Sequence, residues 1–119
     1  CDSGRSIFNC YCGRLAEVSM VKHIVFFRFN RQFNDEKKQA YAKEIKQRLE
    51  SLLSLIPEIL TIEVGINFNA SENCSDLALY SEFSDRDDLE KYQSHPEHLA
   101  LVPFVNSLTE ERRVVDYET

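Results

Sequence analysis

Tyr92-Gln93-Ser94-His95-Pro96-Glu97-His98 sets a phenol and two imidazoles into one short stretch and splits them with a proline. Ser94 with Glu97 three residues on has the form of a capping box. A proline in the first turn of a helix lacks only an N–H that would have no partner there. The stretch therefore predicts that one helix ends near Ser94 and a second starts there, which re-aims His95 and His98 relative to Tyr92. Upstream, Ser84-Asp85 caps the helix bearing Leu89 and Tyr92. Downstream, Leu99, Val102 and Leu108 carry the helical period on, and Pro103 is placed to bend it. The third histidine, His23, lies far away in sequence, in the first strongly hydrophobic run.

That run, Met20 to Asn30, reads as a strand. Val21, His23, Val25, Phe27 and Phe29 fall on one face, and Lys22, Ile24, Phe26 and Arg28 on the other. A strand apolar on both sides has to be covered on both sides. Asn34 or Asp35 then caps a long helix that runs to Leu55 or Ile56, where Pro57 stops it. Tyr41, Ile45, Leu49, Leu52, Leu53 and Ile56 make its apolar stripe. Its other face, Lys37, Lys38, Lys43, Glu44, Lys46, Gln47 and Glu50, reads as solvated. Ile59 to Phe68 alternates as a second strand, with Leu60, Ile62, Val64, Ile66 and Phe68 on one side. A polar loop, Asn69 to Asp76, leads to a third strand, Leu77 to Phe83, and Arg112 to Tyr117 is the last. The order β-α-β-β-α-β is the ferredoxin-like α+β arrangement, an antiparallel sheet with both helices on one face.

That arrangement leaves Ile24, Phe26, Ala78, Tyr80, Val115 and Tyr117 on the helix-free side. An apolar patch of that kind marks a partner surface, and a second copy packed sheet to sheet covers it most economically. A homodimer through Ile24, Phe26, Tyr80, Val115 and Tyr117 is the expectation. With 119 residues and a net charge of −6, the chain is one domain with no basic stripe for a phosphate backbone and no attraction to an anionic membrane surface. No apolar run approaches the ~20 residues of a membrane span.

Cys1, Cys10, Cys12 and Cys74 offer no zinc spacing and no distributed disulfide framework. A reduced, soluble, cytoplasmic protein is expected. Residues 1–19 show no hydrophobic period. They read as an extension outside the fold, lying upstream of a natural start at Met20 or added to it, and residues 20–119 as the domain. Cys1-Asp2-Ser3-Gly4 also admits a lipoprotein's mature end.

Val21-Lys22-His23-Ile24-Val25, Ile56-Pro57, Tyr92-x-x-His95-Pro96-x-His98 and Val115-Asp116-Tyr117 together resemble the stress-responsive α/β-barrel (Dabb) family, over Met20 to Glu118. The resemblance implies a dimeric α+β barrel with a pocket between helices and sheet. Its olivetolic acid cyclase-type members are aldol cyclases, and their catalytic positions fall on His23, Tyr92 and His98. There an imidazole takes a proton α to a carbonyl while a phenol holds the ketone or enolate oxygen. The pocket wall implied is Val25, Phe27, Leu49, Leu79, Leu101 and Val102. Leu49 replaces a tyrosine of those members, Val102 a glycine and Phe27 a smaller residue, so a narrower cavity is expected. Some relatives hold magnesium on carbonyls matching Leu53, Ile56 and Ile59. No metal or cofactor is assigned to this chain on that basis. A zinc site on His23, His95 and His98 would need nitrogens that nothing in the spacing brings together.

Two functions stay open. One is a non-catalytic dimer, stress-associated or ligand-holding, in which the histidines and Tyr92 bond one another. The other is an acid–base enzyme on a small carbonyl compound, cyclase- or isomerase-like. A filled core around Phe27, Leu49 and Val102 would favour the first, which the enlarged side chains suggest. A cavity of ligand size would favour the second.

Overall fold

Strand β1 (Val21–Phe29) buries every second residue, from Val21 to Phe29, as its alternation predicts. The computed structural model describes residues 19–119. The reading of the first 19 residues as an extension, and any role of Cys1, Cys10 and Cys12, therefore lie outside the described residues, apart from Ser19. After β1 come helix α1 (Asp35–Glu50), a 3-10 turn (Ser51–Ser54), strands β2 (Thr61–Ile66) and β3 (Leu77–Phe83), helices α2 (Arg86–Ser94) and α3 (Pro96–Leu108), and strand β4 (Thr109–Glu118). The strands form one antiparallel sheet in the order β2-β3-β1-β4. This is the ferredoxin-like α+β topology, with the second helix divided in two.

Register decides which side chains meet. Val25 stands opposite Leu79 on β3 and Val114 on β4, while His23 stands opposite Ser81 and Asp116. Opposed residues share a face, so Val21, His23, Val25, Phe27 and Phe29 lie with Leu77, Leu79, Ser81 and Phe83 beneath the helices. Ala42, Ile45, Leu49, Leu52, Leu89, Tyr92, Val105 and Leu108 close the core from above. Among the described residues no helix is long and apolar enough to cross a membrane.

The boundaries correct several readings. Helix α1 starts where expected: the Asn34 side chain accepts the Lys37 N–H at 2.8 Å. It tightens into the 3-10 turn after Glu50, and the change from 3.6 to about three residues per turn swings Leu53 out of the stripe, leaving it exposed. Of the alternating set on β2, Ile62 and Val64 are buried, whereas Leu60, Ile66 and Phe68 are exposed beyond the helical cover. Lys46 and Glu50 are not simply solvated. Lys46 Nζ donates to the Val64 carbonyl (2.6 Å) and Glu50 accepts the Val64 N–H (3.0 Å), so the pair satisfies the outer edge of β2. The loop before β3 is tied by Asn67 and Asn69 side chains, each accepting an N–H two residues on.

Candidate functional site

The break at Pro96 is made differently from its expected form. The N-cap of α3 is His95, whose Nδ1 accepts the Glu97 N–H at 3.1 Å, with Pro96 in the first turn. Ser94 still belongs to α2, its hydroxyl donating back to the Glu90 carbonyl. Extended backbone at His95 (ψ 137°) turns the chain between the helices. His95 is thereby spent as a cap, and His98, one turn into α3, comes back against Tyr92. Their ring centroids are 4.6 Å apart. His23 also stands beside Tyr92, at 6.1 Å with its ring edge-on. Two helices and a strand thus bring His23, Tyr92 and His98 into one row.

A cavity of about 310 Å³ lies over this row, lined by His23, Val25, Phe27, Leu49, Leu79, Tyr92, His98, Leu101, Val102, Val105, Asn106 and Arg112. Each pocket residue named from the sequence stands on this wall. Phe27, Leu49 and Val102 line the space without closing it, so the narrowing expected of them stops short of a filled core. The volume lies at the lower end of small-molecule pockets, roughly 300–1,000 Å³.

The hydrogen bonds set the chemistry of each group. His23, fully buried, has Nδ1 2.5 Å from Asp116 Oδ1. A carboxylate only accepts, so Nδ1–H donates and Nε2 is left as the basic nitrogen. His98 repeats the pattern, donating from Nδ1 to the Gln93 carbonyl at 3.0 Å. Burial pulls the His98 imidazole below its ordinary pKa against the opposing hydrogen bond to Gln93, and His23 and Arg112 add to the lowering. Tyr92 is buried, and its hydroxyl finds no hydrogen-bond partner among the described residues. Desolvation pushes its pKa up to about 12, against a small opposing pull from Arg112. The hydroxyl bond from Tyr92 to a histidine that a purely structural cluster needs is therefore missing.

Three wall residues, Val105, Asn106 and Arg112, and one residue behind the wall, Asp116, are not picked out by sequence reasoning. In sequence Asp116 belongs to the family signature and carries no role of its own, yet antiparallel pairing with β1 sets it directly across from His23. Arg112 stands across from Phe27 in the same way. The strand register was the one signal that would have found Asp116 and Arg112. Ser81, the hydroxyl on this face, donates to the His23 carbonyl at 3.3 Å and so helps hold that strand. No three His, Cys, Asp or Glu side chains gather as a metal site among the described residues. Of the carbonyls implied as magnesium ligands, that of Ile56 already accepts the Ile59 N–H at 3.2 Å, and no step is assigned to a metal.

An antiparallel four-stranded sheet, helices on one side and a polar-ended cavity beneath them, defines a ferredoxin-like α+β domain. Residues 21–119 match the Dabb family, the stress responsive A/B barrel domain, and the chain belongs to that family. Among solved structures, a dimeric ferredoxin-like protein of unknown function from Bacteroides fragilis is 41% identical, with a TM-score of 0.78 over 84% of this chain and 96% of that one. A dimeric ferredoxin-like protein of unknown function from Thermobifida fusca is 22% identical, with a TM-score of 0.70 over 93% and 97%. The hydroxynitrile lyase of Passiflora edulis is 20% identical, with a TM-score of 0.70 over 87% and 95%. These last two share the fold. No curated protein matches the chain.

Proposed function

We propose that this is a homodimeric barrel protein whose cavity performs proton transfer on a small carbonyl compound. The observation that carries the reading is the Tyr92 hydroxyl, buried and unpartnered on a wall it shares with two imidazoles. A buried hydroxyl left unsatisfied costs about 1–3 kcal/mol. A substrate oxygen would remove that cost by accepting its proton. With its pKa at about 12, Tyr92 stays a neutral donor at neutral pH, suited to a ketone oxygen or the enolate that forms from it.

The steps follow from the tautomers. Nε2 of His23 takes a proton from the carbon next to the carbonyl, and the electron pair of that C–H bond moves onto the carbonyl oxygen at Tyr92. Asp116 holds the ring and stabilises the imidazolium that forms. His98, kept neutral at pH 7 by burial, is placed to bind or relay a second proton through its free Nε2. Return of the first proton to a different atom gives isomerisation; attack of the carbanion on a second carbonyl, whose π electrons move to its oxygen and take up the proton held on His23, gives cyclisation.

The dimer is supported by the uncovered face. Phe26, Val115 and Tyr117 are 42%, 52% and 44% exposed in the single chain, flanking the half-buried Ile24 and Tyr80. The solved relatives from Bacteroides fragilis and Thermobifida fusca are described as dimeric.

Exchange of α-protons into heavy water, followed by NMR on small ketones, tests the reaction without knowledge of the product. The protein should accelerate exchange, and His23→Gln should lose about 10²–10⁴-fold of that acceleration. Exchange no faster than with free imidazole at the same concentration would sink the catalytic reading and leave a ligand-holding protein.

A further inference from the structure

Arg112 stands apart from the other arginines of the described residues. Arg28, Arg31, Arg48, Arg86 and Arg113 each lie within ion-pair distance of a glutamate, while Arg112 has no such partner among the described residues. The carboxylates nearest to it in sequence are engaged elsewhere. Glu110 is held by Arg31, Glu111 by Arg28 and Arg113, and Asp116 by His23. An exposed guanidinium at the mouth of a cavity, in a chain of net charge −6, is a planar fork of donors that no carboxylate among the described residues occupies.

Its position along the cavity is fixed by two rulers that agree. On β1, His23 faces Asp116 and Phe27 faces Arg112, a separation of about 13 Å at the rise of a strand. On α3, which runs alongside, His98 and Asn106 are about 12 Å apart at the rise of a helix. Both belong to the wall. The cavity therefore has one polar end at His23, Tyr92 and His98, and another where Arg112 and Asn106 are anchored. Val25 and Leu79, opposite one another in the sheet, form the apolar middle. The orphaned Tyr92 hydroxyl independently marks this space as one that a ligand completes.

We propose that the ligand of this cavity has two polar ends, a carbonyl held at Tyr92 and a carboxylate held by Arg112, joined by an apolar segment against Val25 and Leu79. The inference rests on the cavity being the ligand site proposed above, and names the class of molecule it takes: a small keto acid with an apolar spacer.

Calorimetric titration of the intact protein with 4-acetylbenzoate and its neutral isostere 4-acetylbenzamide tests it. Wild type should bind the carboxylate about tenfold tighter or more, the scale of one charge-assisted fork, and the preference should shrink as salt rises. Arg112→Gln should abolish the preference, and Arg112→Lys should keep part of it. Because Arg112 has no ion pair to lose, both variants should melt with wild type; a misfolded Arg112→Gln would leave Arg112→Lys to carry the comparison. Equal affinity for the two compounds in wild type overturns the inference while leaving the cavity a ligand site. A preference that survives Arg112→Gln also overturns it. Failure of wild type to bind either compound overturns both this inference and the reading of the cavity.

Discussion

The two faces of this sheet are built from the same strands and serve opposite ends. On β1, His23, Val25 and Phe27 point under the helices, and Ile24 and Phe26 point away from them. Under the helices, burial is complete enough that each polar group has to be answered. Asp116 answers His23, the His23 carbonyl answers Ser81, and Tyr92 is left over. On the open face nothing is buried, and the polar groups pair laterally, as Lys22, Tyr80 and Glu82 do. A site and an interface thus leave different marks. An unanswered polar atom inside a covered face asks for a ligand, and an unanswered apolar surface on an open face asks for another protein surface.

Substitutions can break this contrast. Phe29, fully buried beneath the helices, should cost about 3–5 kcal/mol as alanine, the usual loss for a core aromatic; urea denaturation reads it directly. Its open-face counterpart Val115→Arg should leave the fold of each protomer intact but weaken association by about 2 kcal/mol or more, as for a central contact residue. Sedimentation over a dilution series measures this, and an unchanged dissociation constant would remove the open face as the interface.

Tyr92→Phe sharpens the contrast from within. Deleting an unpaired buried hydroxyl should raise stability by about 1 kcal/mol while slowing α-proton exchange. A loss of stability instead would mean that the hydroxyl has a partner. A smaller effect concerns His98. Its folded pKa lies below the ordinary 6.5, so the unfolded chain binds the proton more readily. Its contribution to stability is then full above pH 6.5 and is lost as pH falls through the folded value. His98→Gln should flatten denaturation midpoints between pH 7 and 5 relative to wild type. Glu50→Gln should be milder still, about 0.5–1 kcal/mol, because its carboxylate holds Lys46 and the Val64 N–H at a partly exposed edge.

Much of the fold was legible because its signals are local. Alternation in Val21–Phe29 and Leu77–Phe83 assigned both the strands and their faces, and Asn34 and Asp85 announced their helices by capping them. What failed was also local but finely balanced. At the break beside Pro96, a histidine and a serine competed for the cap, and the extended backbone at His95 gave it to the imidazole. Leu53 left the apolar stripe when the helix tightened, and Phe68 lies past the reach of α1, fully exposed. Neither event leaves a trace in hydrophobic period. The partners of the site were hidden for a different reason. Asp116 lies 93 residues from His23 and Arg112 85 from Phe27 in sequence, and pairing between β1 and β4 alone makes each pair neighbours.

Local pattern in the chain was enough for the order of elements, the strand face on which His23 lies and the apolar surface left uncovered, since these follow from periods of two and 3.6 and from caps. Only the packing in space settles that His23 is oriented by Asp116, that Phe27, Leu49 and Val102 leave a cavity rather than fill one, and that among the described residues the Tyr92 hydroxyl has no hydrogen-bond partner and the Arg112 guanidinium no ion-pair partner. Those outcomes depend on strand register and on how three elements meet in space, and no short-range pattern in the chain encodes either.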